Sequence, residues 1–209
     1  MGALRIMDFR SCQLTDEIVV KRVLSGETEL FEILLRRYNQ TMFRVIRSYL
    51  KDPADVQDAM QNAYLKAFDK LFQFNGTAAF STWLIRIAIN EALMRLKDMK
   101  KEKTVYLNSD LNGDAIRQIA DRKIGPEAQL VRQEVKQLLE KAIDELPEDY
   151  RVVYVLREIE GLQNPEIASA LNLSDSNVKV RLHRAKVMLK EKLLTLSSST
   201  PVFEFGNSH

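Results

Sequence analysis

The side chains best equipped for chemistry in this chain lie between Ser176 and Lys192. There Asn177, Lys179, Val180, Arg181, His183 and Arg184 are followed by Lys186, Lys190 and Lys192. From Lys179 to Lys192 six Lys or Arg stand against one acid, Glu191, a balance suited to a phosphate backbone. Arginine and asparagine can satisfy purine edges in a major groove, and valine can meet a thymine methyl. Wound as a helix, the segment puts Asn177, Val180, Arg184 and Val187 on one side, flanked by Arg181 and His183. The opposite side is an apolar stripe of Val178, Leu182, Ala185, Leu189 and Leu193. A solvated face has no need of Val180, whereas a base-reading face does. Lys179 sits closer to the stripe and is better placed for phosphate than for bases.

Such a face needs an element to present it. Asn164 is expected to cap a short helix, with Pro165 in its first position, Glu166 in its first turn, and Ile167, Ala168 and Leu171 buried. The polar run Asn172 to Ser176 breaks the pattern, and Ser174 or Asp175 can cap the basic helix that follows. A basic run alone describes any amphipathic helix with a solvated side. Joined to a capped helix and a tight turn, it reads as a DNA-binding helix-turn-helix.

A second constellation sits mid-chain. FNGTAAFSTW places Phe74, Phe80 and Trp83 around the loop Asn75, Gly76, Thr77, Ala78 and Ala79, just before a helix carrying Arg86, Asn90, Arg95 and Lys97. Phe80 and Trp83 lie near apolar helix positions and read first as core. Phe74, beside a flexible loop and within reach of an amide, has the makings of a site for an unstacked base. The preceding helix turns Asp55, Asp58, Gln61 and Asn62 outward. DNA would repel that acidic and amide face, so it reads either as solvated surface or as a contact for a protein.

Composition narrows the classes. Seven Gly and five Pro in 209 residues, with no sustained β alternation, favour an all-α protein of one or two domains. A net charge of +2 leaves nucleic-acid binding to local patches. One cysteine, Cys12, excludes an internal disulfide and fits a reducing cytoplasm, and two histidines are too few for a zinc site. Neither a signal-peptide core nor a membrane span is expected. There is no phosphate loop, metal-ligand cluster or nucleophile with a positioned base, so no enzyme activity and no cofactor is implied.

Helices are expected over Thr15 to Leu24, Glu27 to Leu50 and Ala54 to Phe72, and from Ser81 or Thr82 into LKDMKKEK. Periodicity then fades from Thr104 to Gly125, as in a linker. Pro126 opens a second block, with helices over Glu127 to Leu146 and Glu148 to Glu160 ahead of the helix-turn-helix. After Leu196 the composition is that of a disordered tail.

Three stretches, DVQDAMQNAYLKAF, FNGTAAFSTWLIRIAINEALMRLK and DELPEDYRVVYVLREIEGLQNPEIASALNLSDSNVKVRLHRAK, together resemble the extracytoplasmic-function class of bacterial sigma factors. The likeness runs over roughly residues 15 to 195 in the family's order. It implies two helical domains, region two over 15–103 and region four over 126–195. A linker over 104–125 joins them, between an extension at 1–14 and a tail at 196–209. By resemblance, Asp55, Asp58, Gln61 and Asn62 face the β′ clamp coiled coil of core RNA polymerase. Phe74 to Phe80, Trp83, Arg86 and Asn90 form the minus-ten site, with Phe74 and Asn90 at a flipped base. Ser176, Asn177, Lys179, Val180, Arg181, His183 and Arg184 address the minus-thirty-five element. Asn62 stands where the family often has an acid, and Asn75 where it often has Arg. Promoter DNA, core polymerase and an anti-sigma factor are the implied partners, and the nucleoid is the implied location when polymerase-bound. The competing reading is a stand-alone helix-turn-helix regulator with a helical sensor or dimerisation domain, which leaves the acidic face without a purpose.

Overall fold

The structure, a computed structural model, describes residues 14–105 and 126–199. Most of the expected N-terminal extension, linker and tail lies outside these residues. Among them there is no strand, and no helix is long and apolar enough to cross a membrane. Two compact units are present, one built on the first four helices and one on the last four.

The first unit contains α1 (Asp16–Leu24), α2 (Phe31–Arg47), α3 (Pro53–Asp69) and α4 (Phe80–Val105). Single 3₁₀ turns at Thr28–Leu30 and Leu71–Gln73 interrupt what the apolar period reads as longer helices. Asp52 starts α3, its carboxylate accepting from Ala54 N at 2.8 Å while Pro53 occupies the position where a missing N–H is harmless. Ala59, Ala63 and Ala67 repeat every fourth residue and are all buried. α3 and α4 pack together, and α4 contributes its own buried Ala88 and Ala92. Small side chains at such positions let helix axes approach closely. Around them Leu34, Met42, Ile46, Leu84 and Ile85 complete the core. Asp16 holds α1 to α2 through Arg37 and the Tyr38 hydroxyl. Thr15 precedes α1 but makes no side-chain cap. α4 also overruns the expected start of the linker at Thr104, reaching Val105.

The second unit contains α5 (Pro126–Asp144), α6 (Glu148–Tyr154), α7 (Asn164–Leu171) and α8 (Asp175–Ser199). α8 packs on both α5 and α6. The expected helix to Glu160 instead widens after Tyr154 into a π turn over Val155–Ile159, where Glu160 N bonds Val155 O at 2.9 Å. Gly161, at φ +74°, then reverses the chain. The cap of α7 is Gln163, one residue earlier than expected. Gln163 N donates to Glu166 Oε2 at 2.7 Å in a capping box, and Arg157 Nη1 holds Gln163 Oε1 at 3.0 Å. That reciprocal pair displaces Asn164, whose Oδ1 is left buried without a partner among the described residues. Ile167 and Ala170 form the buried side of α7, while Ala168 and Leu171 are only partly covered. Asn172 ends α7 in the left-handed region at φ 53°, and Ser174 Oγ accepts from Asn177 N at 3.2 Å to start α8. The basic helix continues to Ser199, past the expected end of the block.

Candidate functional site

The base-reading face expected of α8 is exposed in the folded unit. Val178, Ala185 and Leu189 are buried. Ser176, Asn177, Lys179, His183 and Arg184 are exposed, Arg181 is half-buried, and Val180 leaves 49% of its surface in solvent. Asn177, Val180 and Arg184 recur at i, i+3 and i+7, so they span roughly 10 Å along one face, about three base-pair steps. Lys179 flanks the buried stripe of Val178, Ala185 and Leu189, closer to it than Val180 or Arg184. Its ammonium lies 2.7 Å from Asp175 one turn back and is well exposed, because residue 179 follows the buried Val178 by a full helical step of about 100°.

Two of these side chains are held from α6. Arg181 Nη1 donates to Asp149 Oδ1 at 3.0 Å, and Arg184 Nη1 donates to the Tyr150 hydroxyl at 3.4 Å. Neither link is visible in sequence, since the partners stand 32 and 34 positions apart. Arg151, the next residue, is 4% exposed. Its guanidinium donates to Ile143 O at 3.2 Å, Asp144 O at 2.7 Å and Leu146 O at 2.6 Å. It thereby adds a charged donor to carbonyls at the end of α5 and in the turn that follows, where Ile143 O also accepts from Leu146 N at 3.1 Å. Its place in the apolar period of α6, beside the buried Val152 and Val153, is the one sequence signal that marks it.

In the first unit the loop between Phe74 and Phe80 rests on a cluster of edge-on and tilted rings. Phe74 meets Phe80 edge-on at 5.4 Å and Trp83 at 5.7 Å, Phe80 meets Trp83 at 5.5 Å, and Tyr38 backs Phe80 at 5.7 Å. Phe80, 1% exposed, is a wall behind the loop and not part of its open lining. This corrects its grouping with the base contacts and agrees with its apolar helix position. Phe74 and Trp83 are half-buried, each keeping some ring surface in solvent. Asn75 through Ala79 are all exposed. Asn75 Oδ1 accepts from Thr77 N at 3.1 Å and Thr77 Oγ1 at 2.8 Å, a side-chain turn that orders the loop. Gly76 sits at φ +74°. Arg86 and Asn90 are exposed on α4, placed with Trp83 at the i, i+3, i+7 spacing of one face.

The exposed face of α3 is smaller than its sequence implies. Asp58, Gln61 and Asn62 are exposed, but Asp55 is turned inward: Arg95 of α4 donates to its Oδ1 through Nε at 2.8 Å. Lys66 and Glu91 form a second α3–α4 link at 2.7 Å. Below Asn62 the same side of α3 becomes apolar, with Leu65 and Phe68 exposed and Phe72 beyond them.

Comparison with known proteins places both units. The family model "Sigma-70 region 2" matches residues 34–102 and "Sigma-70, region 4" matches residues 136–189. The ECF RNA polymerase sigma-E factor of Escherichia coli (strain K12) is 32% identical over 190 residues, covering 88% of this chain and 97% of that protein. The RNA polymerase sigma-H factor of Pseudomonas aeruginosa is 32% identical over 193 residues, covering 88% and 96%. Among solved structures, CnrH in complex with the cytosolic domain of CnrY superposes with a TM-score of 0.58 at 25% identity, covering 88% of this chain and 99% of that one. The sigma factor RpoE of Bartonella quintana, solved with the anti-sigma factor NepR, shares the fold at a TM-score of 0.66 and 20% identity, with coverage of 79% and 97%. A stand-alone regulator is not favoured, since the likeness takes in the first unit as fully as the helix-turn-helix. With a relative this similar along almost its whole length and both regions matched in order, the chain belongs to the extracytoplasmic-function sigma factors, which direct RNA polymerase to promoters.

Proposed function

We propose that the two units divide promoter recognition between them, region two over 15–103 and region four over 126–195, joined by a linker over 104–125. The observation that carries this reading is the contrast of exposed faces: α8 offers Asn177, Val180 and Arg184 among cations, while α3 offers Asp58, Gln61 and Asn62. The first face suits the major groove of the minus-thirty-five element, with Val180 and Arg184 as readers and Ser176, Lys179, Arg181 and His183 as positioning contacts. The second repels DNA and suits core polymerase at the β′ clamp coiled coil, with Asp55 acting indirectly through Arg95. The Asn75 to Ala79 loop, with Phe74, Trp83, Arg86 and Asn90, takes an unpaired base of the minus-ten element by stacking and amide hydrogen bonds. Polymerase supplies the chemistry, so the chain itself is not an enzyme. It works in the cytoplasm, at the nucleoid when polymerase-bound, and an anti-sigma factor holds it inactive by covering these surfaces; its structural relative RpoE was solved in complex with the anti-sigma factor NepR.

Run-off transcription with purified core polymerase tests the reading. Promoter-dependent transcripts should appear only when this chain is added, and their absence across genomic promoter templates would refute it.

A further inference from the structure

Between α3 and α4 lies a cleft of about 230 Å³ lined by Asp58, Gln61, Glu91, Met94, Arg95 and Asp98, among others. Glu91 is 5% exposed. Its Oε1 accepts from Lys66 Nζ at 2.7 Å, and its Oε2 is buried with no hydrogen-bond partner among the described residues. A buried carboxylate oxygen left without a donor is costly and points to a donor that arrives from elsewhere. The charges around it give the sign of that donor. Among the described residues the lining's cation, Arg95, pairs with Asp55, and Asp58 and Asp98 also flank the cleft, so its walls are mainly acidic. Among the described residues no three His, Cys, Asp or Glu side chains are gathered to hold a metal ion. The space is also below the usual range for a small-molecule pocket. It is the size for one side chain.

We infer that this cleft is a socket for an arginine of core polymerase, projecting from the surface that docks on α3. A guanidinium fits better than an ammonium because its fixed fork of five donors can serve separate acceptors at once. Here those are Glu91 Oε2 and the Asp58 and Asp98 carboxylates. Met94, unbranched and half-exposed, can move to admit the planar head. The inference rests on the assignment of the α3 face to core polymerase and deepens it. It adds α4, through Glu91 and Asp98, to an interface otherwise confined to α3.

The test is equilibrium binding of the labelled full chain to core polymerase, read by fluorescence anisotropy, with melting temperatures measured alongside. Glu91→Gln and Asp98→Asn should each weaken binding about tenfold, the size of one charge-assisted hydrogen bond, and both losses should shrink as salt is raised. Promoter preference at saturating polymerase should not change. Glu91→Gln also releases Lys66, so the exposed Asp98 decides: undiminished affinity for Asp98→Asn overturns the socket. Gln61→Ala separates this inference from its premise. If Gln61→Ala weakens binding while Asp98→Asn does not, the socket is wrong and the α3 assignment stands. If neither has an effect, the α3 assignment falls as well.

Discussion

Arg151 offers the sharpest test of how the second unit is held together. Its guanidinium sits at the junction of α5 and α6, 4% exposed, and donates to three carbonyls from Ile143, Asp144 and Leu146. Arg151→Met keeps most of the side-chain length and removes every donor. Each carbonyl then loses a charge-assisted bond; Ile143 O keeps its bond from Leu146 N, and the other two cost about 1–3 kcal/mol apiece where water cannot reach them. Allowing for partial hydration at the helix end, the net loss should be about 3–5 kcal/mol. A unit of this size has roughly 4–10 kcal/mol in total, so the variant should leave the second unit marginal at 37 °C. Because α8 packs on α5 and α6, its recognition face should lose its fixed orientation too. Hydrogen exchange on the full chain reads this directly: amides of α6 and α8 should lose most of their protection while those of α2 to α4 keep theirs. Arg151→Lys should fall between, since one ammonium cannot span three carbonyls. Protection in α6 and α8 within about 1 kcal/mol of wild type for Arg151→Met would refute the reasoning.

Four further outcomes follow from particular groups. Arg184→Ala should lower transcription from promoters with an intact upstream element by about five- to a hundredfold, one base contact's worth, and have much less effect where that element is scrambled, in run-off assays on paired templates. Asn90→Ala should slow open-complex formation, read by permanganate footprinting, more than it weakens initial binding; equal losses would argue against base capture. Gly76→Ala meets no steric obstacle, since a Cβ there has nothing within 4 Å, but forces an L residue to φ +74°. It should therefore cost about 1 kcal/mol, seen as greater protease sensitivity of the Asn75 to Ala79 loop with little change in melting temperature. Burial pushes the Tyr64 phenol up to about 12, so its neutral form is favoured on folding. That contribution is whole below the unfolded value near pH 10 and is lost as pH rises through about 12; Tyr64→Phe should flatten the alkaline fall in stability of the first unit, leaving the part due to Tyr38, which is raised in the same direction.

The helices were legible because they depend on local terms. Apolar period and Ser174 ahead of the basic run each act within about one turn of chain; the structure keeps the Ser174 cap and, apart from the 3₁₀ and π turns, the helices the period reads. The rotation of α8 was equally plain, since burying Val178, Ala185 and Leu189 leaves Val180 and Arg184 outside by geometry alone. What could not be read are the partners that tertiary packing supplies. Asp55 carries the same sequence signature as Asp58, and only the arrival of Arg95 from α4 turns it inward. Glu91 falls on the buried side with Leu84, Ala88 and Ala92, a clue that an acid there is satisfied by something, though not that Lys66 would do it. The cap of α7 moved to Gln163 because Arg157 and Glu166 hold both ends of that residue, a competition between neighbours that residue preferences alone do not decide.

Those tertiary partners bear on how the basic helix could work. In the free chain most of its cations are already engaged: Lys179 with Asp175, Arg181 with Asp149, Lys186 with Glu158 and Lys192 with Glu145, while Arg184 donates to Tyr150. Under the proposed assignment, phosphate contacts by these residues must first exchange an existing carboxylate. Exposed pairs are worth about 0–1 kcal/mol each, so four of them can subtract up to about 4 kcal/mol, roughly a thousandfold in affinity. The carboxylates also remain beside the DNA and repel it. A recognition helix muted in this way binds weakly alone and gains its occupancy when polymerase holds the other unit at the promoter, where effective concentration replaces affinity. Under that assignment, the acids that neutralise α8 should make promoter choice depend on the polymerase.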